Sequence, residues 1–336
     1  MELEKKDFKA FPKFRHNLWT NYEDAPEITY LTVSHGTYEV PTEDASRFLK
    51  IRSFCTGYSS LADIAAKSKM SEQEVKSIIS SLIEIDTLHL PFKSVETLTK
   101  KEIIRTLEAA TNIWSEQLVD THISRDIFLG KTSKNVVIGW LLETYHYVKL
   151  FPSALEVASI HAKGQLKELL VEYTKQEKGH ERFILQSLLK AGLSKQEVED
   201  SIPLISTRTI DLLFKELFAL EPATVLLVAS IIEAEDLDKN SAQEVTKMLH
   251  EVHGFPIDML NPFFDHVEID SKFGHHQLLQ NNMKLMEEIN PLCLHDIVNK
   301  LHDIKHAFDL QKLEIKDYYE KTGNYLPRQY VDFFAI

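Results

Sequence analysis

Cysteine is nearly missing from this sequence of 336 residues. Cys55 and Cys293 are its only two, too few for a disulfide framework. With 10 Gly and 11 Pro the chain is neither fibrous nor of low complexity. Long apolar runs are missing as well. The stretch Ala223 to Ile232 falls far short of a membrane span and ends in Glu233, so no membrane segment is expected. Basic residues are outnumbered, 38 Lys and Arg against 51 Asp and Glu, and the formal net charge of −13 argues against nonspecific duplex binding. Met1 to Lys9 is polar and charged, so no signal peptide is expected, and the cytoplasm is the expected compartment. What is abundant is apolar content, 43%, and the helix formers Leu, Glu, Lys, Ala and Ile. Such a chain can bury one large core or two ordinary ones.

Two domains are expected, 1–95 and 98–325, joined by a linker at Pro91 to Thr97. In the first, Ile28 to Val40 carries β-branched and aromatic residues around His35-Gly36 and predicts a hairpin of two short strands. Thr42 to Phe54 predicts a helix with Ala45, Phe48, Leu49 and Ile51 on one side, ended by Gly57. Leu61, Ile64 and Ala65 mark a short helix. Ser71 and Glu74 match a capping box opening a helix striped by Val75, Ile78, Ile79 and Leu82. Ile85, Leu88 and Leu90 return to an extended pattern. Helix, turn, helix, short strand is the winged-helix order. Its second helix has no Arg cluster to enter a groove, so peptide or protein docking is expected and nucleic acid is not. The second domain predicts helices over 98–119, 133–150, 153–174, 175–190, 207–219, 221–236, 241–252, 258–279, 281–290 and 292–321.

Polar residues inside these apolar helices are the informative anomaly. Glu143 and His146 sit three apart, as do Glu177 and His180, and His266 and Asp270 sit four apart. Each spacing puts both groups on one helix face. Glu233 follows the apolar run Val225 to Ile232, which suggests that it faces inward. Oxygen and imidazole donors suit iron or manganese, and neither cysteine lies in these segments. Several carboxylates can bridge two metals, and clustering them in a dry core without cations is costly. The alternatives are a helix boundary for Glu233, a satisfied core histidine for His146, and a solvated face for Asp265, Glu268 and Asp270.

These residues together resemble the haem-oxygenase-like metal oxidases, the superfamily that also holds the pyrroloquinoline quinone synthase and the TenA thiaminases. The resemblance covers about 100–325, within which Thr121-His122-Ile123-Ser124-Arg125-Asp126-Ile127-Phe128-Leu129-Gly130 looks like the opening stretch of such domains. It implies a mainly α protein, a haem-oxygenase-like helical bundle preceded by a small α+β winged-helix-like domain. It also implies metal ligands at Glu143, Glu177, His180, Glu233, His266 and Asp270. The family's His-x-x-x-Asp-x-x-His motif reads here as His266, Asp270 and Phe273. Seven positions after His266, Phe273 is expected on the site's face, weakening the second metal position by one ligand. His146 or Glu268 could complete that position. If the helix shifts phase near Gly274, His275 or His276 supplies the ligand instead. Tyr145, Tyr147 and Trp140 are expected to line the pocket or supply electrons, with Tyr145, Tyr147 and Phe273 as the candidate catalytic residues. The first 90 residues are similar to PqqD-like domains, which bind leader peptides by strand addition.

The resemblance implies an oxidase or oxygenase holding Fe(2+), two per chain, or Mn. It would use dioxygen and an electron donor on a ribosomally made peptide or an amino-acid-like substrate, and a homodimer fits it too. Alternatives are a cofactorless oxidase of the quinone-synthase type and a non-catalytic peptide-binding protein. A thiaminase-like hydrolase would need a cysteine nucleophile, and Cys55 and Cys293 lie outside the matched helices. Haem would need an axial histidine, for which His122 is the candidate, and would leave the acids unexplained.

Overall fold

The computed structural model describes residues 11–14, 19–22, 25–33, 36–85, 87–88, 98–233, 239–321, 326–332 and 334. The expected linker at Pro91 to Thr97, Leu90 and the turn residue His35 lie outside the described residues. The chain forms two compact units, Met1–Thr99 and Lys100–Ile336.

The first unit opens with three antiparallel strands, β1 (Trp19–Tyr22), β2 (Ala25–Val33) and β3 (Gly36–Pro41), in that order across the sheet. The hairpin of β2 and β3 matches the alternation read from the sequence, with Tyr30 opposite Glu39 and Thr32 opposite Thr37. Strand β1 was not expected, because its four residues are too short to show a period. Three helices follow, α1 (Thr42–Ile51), α2 (Leu61–Ser68) and α3 (Glu72–Glu84). Ser71 and Glu74 form the capping box on α3, and Ser60 with Asp63 forms a second on α2. Phe48, Ile51, Ile64, Val75, Ile79 and Leu82 close a small core of their own. Leu88 pairs with Phe14 in an isolated antiparallel bridge.

The second unit is helical: α4 (Lys100–Thr121), α5 (Ile123–Phe128), α6 (Lys134–His161), α7 (Gly164–Glu177), α8 (Glu181–Lys190), α9 (Lys195–Glu199), α10 (Ile205–Leu220), α11 (Thr224–Ile232), α12 (Lys239–His253), α13 (Asn261–Phe273), α14 (Leu278–Asn281) and α15 (Leu294–Lys321). Helix α6 is apolar almost all round, so it is the central element. It packs against α7, α8, α10 and α15. The sequence suggested a break at residues 150–153. Instead α6 runs straight through Pro152, and the chain turns at Ala162 and Lys163. Proline removes one helical hydrogen bond, but Phe151, Ala154 and Leu155 around it are buried, each worth about 1.5–3 kcal/mol except the smaller alanine. Packing outweighs the local defect. Among the described residues no helix is long and apolar enough to cross a membrane.

Candidate metal centre

Two interruptions in helical winding position the site. After α7 the chain turns at Lys178 and Gly179, the latter at φ +96°, before α8 begins. Glu177 and His180 sit on either side of this turn. Helix α13 ends at Phe273, with Gly274 in the left-handed conformation at φ +73°, and a short 3-10 turn then carries His275 inward. A residue other than glycine or asparagine would be strained at such a φ.

Glu177, His180, Asp270 and His275 are buried, and His266 is nearly so. His180 Nδ1 lies 3.1 Å from Asp270 Oδ1 and 3.7 Å from Glu177 Oε2. His266 Nε2 lies 3.2 Å from Asp270 Oδ2. His275 Nδ1 lies 3.0 Å from Glu177 Oε1 and 3.6 Å from Asp270 Oδ1. Two ligand trios result, His180–His266–Asp270 and Glu177–Asp270–His275, which share Asp270. Glu233 caps the end of α11, and its Oε1 accepts a 2.5 Å hydrogen bond from Tyr173. Its charge acts on Glu177, His180, His275 and the phenols of Tyr147 and Tyr173.

The contacts are short, yet Glu177 Oε1, His180 Nδ1, His266 Nε2, Asp270 Oδ1 and His275 Nδ1 are all buried without a hydrogen-bond partner. The nitrogens and oxygens face one another off the line of any ring N–H. At His275 the reason is explicit. Its Nε2 donates to Gln176 Oε1 at 3.1 Å, so a neutral ring presents the bare Nδ1 lone pair to two carboxylate oxygens. Acceptor facing acceptor in a buried site is unfavourable unless a proton or a cation lies between. The donor set is therefore complementary to a cation that takes oxygen and imidazole ligands, such as iron or manganese.

Without that cation the site is pushed toward neutrality. Burial, then the charge of Asp270, pushes Glu177 up to about 8. Burial, then Glu177 and Asp270, pushes Glu233 up to about 8. Burial holds His266 and His275 below the usual imidazole range. At His180 burial opposes charge, but Asp270, Glu177 and Glu233 outweigh it and the ring is held above its ordinary value.

The structure thus brings together Glu177, His180, Glu233, His266 and Asp270. Glu143 does not join them. Its carboxylate is saturated by three donors: the Leu204 amide at 3.0 Å, the Thr207 hydroxyl at 2.5 Å and the Tyr319 hydroxyl at 3.0 Å. Burial pushes it up to about 7. The expectation that Glu143 is a ligand is corrected: it is a structural carboxylate tying α6 to α10 and α15. His146 is the satisfied core histidine. Ser201 gives its own proton to Val198, so His146 Nε2 donates to Ser201 Oγ at 2.9 Å, and burial lowers the ring to about 4. Glu268 lies exposed, paired with Lys272 at 2.7 Å.

Phe273 is also corrected. It is 50% exposed, its ring stacked on His275 at 5.7 Å, so it stands at the outer edge and does not point into the cluster. The glycine after it, rather than helical phase, decides which side chain turns inward, and His275 takes the place expected of Phe273. Tyr147 approaches the acids, whose charges hold its phenol protonated after burial has done so. Tyr145 does not: its hydroxyl accepts from Lys149 at 3.3 Å away from the cluster. Trp140 is core, packed against Phe128 and Phe263. Tyr173 and Gln176 were missed, as no pattern marks a residue whose partner lies tens of positions away. For His275 the signal was Gly274. His122 caps α5, with Nδ1 accepting from the Ser124 amide, so it is occupied within its own turn. Cys55 is buried in the first unit, its thiol pushed up to about 12 by burial, which leaves no reactive thiolate there.

The helical unit has a haem-oxygenase-like fold. It is similar to a domain of unknown function with a heme oxygenase-like fold from Shewanella denitrificans OS217, at 18% identity and TM-score 0.51, over 70% of this chain and 100% of that one. A TenA homolog from Pseudomonas syringae pv. tomato is similar at 9% identity and TM-score 0.46, over 67% of this chain and 99% of that one. A TenA homologue from P. horikoshii OT3 is similar at 11% and 0.46, over 64% and 98%. Residues 138–306 match the family described as iron-containing redox enzyme, and the chain belongs to that family. Every member of the cluster falls inside that span. Curated proteins gave no match.

Proposed function

We propose that this chain is a non-haem iron oxidase or oxygenase that uses dioxygen, with two metal positions. His180 and His266 would hold one, Glu177, Glu233 and His275 the other, and Asp270 both. The observation that carries this reading is the convergence of five buried donor atoms with no partner of their own. Family membership supports a redox role for the same residues. Iron, when bound, supplies one-electron chemistry toward dioxygen. The chain's own residues do the rest. Gln176 fixes the His275 tautomer that offers Nδ1. Tyr173 holds Glu233 in place through its hydroxyl proton. Phe183 and Phe273 pack on His180, His266 and His275 and give that side of the cluster an apolar wall. The N-terminal unit, in this reading, recruits a peptide carrier or leader along an edge of its three-stranded sheet, and the modified group is a peptide residue or a carried amino acid.

Anaerobic titration with iron(II) tests the metal assignment. The wild type is expected to bind about two ions per chain, the usual count for a carboxylate-bridged bundle site. Asp270→Ala should lose both, His180→Ala and His275→Ala about one each, and Glu143→Gln neither. Admitting oxygen to the loaded wild type should then consume it. Full metal binding by Asp270→Ala would overturn the assignment.

A further inference from the structure

A cleft of about 680 Å³ opens on the outer side of His180, between α8 and α13. Its size suits a small molecule. Its inner wall is apolar and lies on the imidazoles: the Phe183 ring is 6.2 Å from that of His180 and 6.0 Å from that of His266, with Ile269 and Phe273 beside it. Its rim is charged, and the charges are not alike. Lys175 is paired with Glu172 at 3.2 Å and Lys178 with Glu156 at 2.7 Å. Arg182 has no ion pair among the described residues, and neither has Asp265 on the facing helix. The Arg182 guanidinium folds back over the turn, where a Cβ built on Gly179 would lie 3.8 Å from its central carbon. A guanidinium without an ion pair thus lies two residues after His180, at the mouth of a cleft with aromatic walls.

We infer that this cleft takes a small organic carboxylate with an apolar body. The acid group would sit on Arg182, and the body between Phe183, Ile269 and Phe273 over His180. The planar fork of arginine matches a carboxylate with two parallel hydrogen bonds, which a paired lysine does not offer. Asp265 adds a place for an ammonium group, so the source is either a simple acid or an amino acid. The inference rests on the reading that the buried cluster is the reacting centre, takes a free acid in place of a peptide residue or carried amino acid, and fixes which end of the substrate is presented: the carbons far from the carboxylate.

The test titrates the full chain, incubated with iron(II), with 3-phenylpropanoate, its neutral amide 3-phenylpropanamide, and L-phenylalanine, by calorimetry. The carboxylate should bind at least about tenfold more tightly than the amide, the scale of one charged hydrogen-bonded contact. Arg182→Gln should bring the carboxylate to the level of the amide, Arg182→Lys should recover part of the difference, and bound iron should be the same in all three proteins. Asp265→Asn should weaken phenylalanine alone if the ammonium is read, which assigns an amino acid; equal affinities assign a simple acid. Equal binding of carboxylate and amide, an unchanged affinity in Arg182→Gln, or no binding of any probe overturns the inference. Arg182-dependent binding in a protein that takes up no iron would leave the cleft assignment standing and remove the metal reading instead.

Discussion

Glu143 accepts three hydrogen bonds inside an otherwise apolar helix, and that decides what its loss should do. Replacing it with Gln leaves one oxygen for Leu204 and Thr207 and an amide for the Tyr319 oxygen, so stability should change little. Replacing it with Ala orphans a buried amide and two hydroxyls, at a cost of about 2–4 kcal/mol in urea melts. Both variants should bind as much iron as the wild type once folded. A fall in iron binding by Glu143→Gln would return the residue to the ligand set. The pair His266–Asp270 was legible in the sequence because short helical spacing fixes a shared direction, whereas Glu177 and His180 were singled out by the same kind of spacing but are brought together by the turn at Gly179. Glu143 with His146 had the same spacing and the opposite meaning. The spacing says that two groups face the same way, but only the folded chain says whether donors or acceptors await them.

At the scale of elements, helix content was legible and helix ends were less so. Buried stripes identified α6, α10 and α15, whereas the stop at Pro152 failed because burial on both sides holds the helix together. The consequential boundary is Gly274. Its left-handed backbone swings the chain so that His275, not Phe273, turns toward Glu177. Gly274→Ala has open space for its methyl group, so steric contact is not the issue. The cost is backbone strain of about 1–2 kcal/mol, and relief of that strain would rotate His275 away. The variant is expected to melt at a lower temperature and to lose about one bound iron. Gly274→Asn, which tolerates this conformation, should keep both. Equal iron binding in Gly274→Ala and the wild type would show that His275 is not held by this turn.

At the scale of the whole molecule, each unit buries its own core, so a chain beginning at Lys100 is expected to fold, show a helical circular dichroism spectrum and bind iron. An insoluble fragment would contradict this. The cluster also sets how stability follows pH. Glu177 and Glu233 bind protons more tightly in the folded chain, up to about 8, than at their ordinary value of 4.5. Glu143 does so up to about 7. Above neutrality the folded state therefore holds more protons than the unfolded state, and metal-free protein should lose stability as pH rises from 7 to 8. His266 and His275, held below the imidazole range, and His122 and His146, lowered to about 4, are neutral in the folded chain. When unfolded they are still partly protonated near pH 6.5, so they oppose the trend there and fade above neutrality. Iron binding should strengthen over the same range as those protons leave. Thermal melts at pH 7 and 8, with and without iron(II), check the sign; a metal-free protein more stable at pH 8 would refute it. If iron fills the cluster as proposed, its five unpartnered atoms tie the lifetime of the polypeptide to the supply of the metal. When iron is scarce, a larger fraction of molecules opens and meets the proteases, and when iron returns the ion itself shields the fold. Abundance of this protein in a cell would then report the supply of the metal before any turnover is measured.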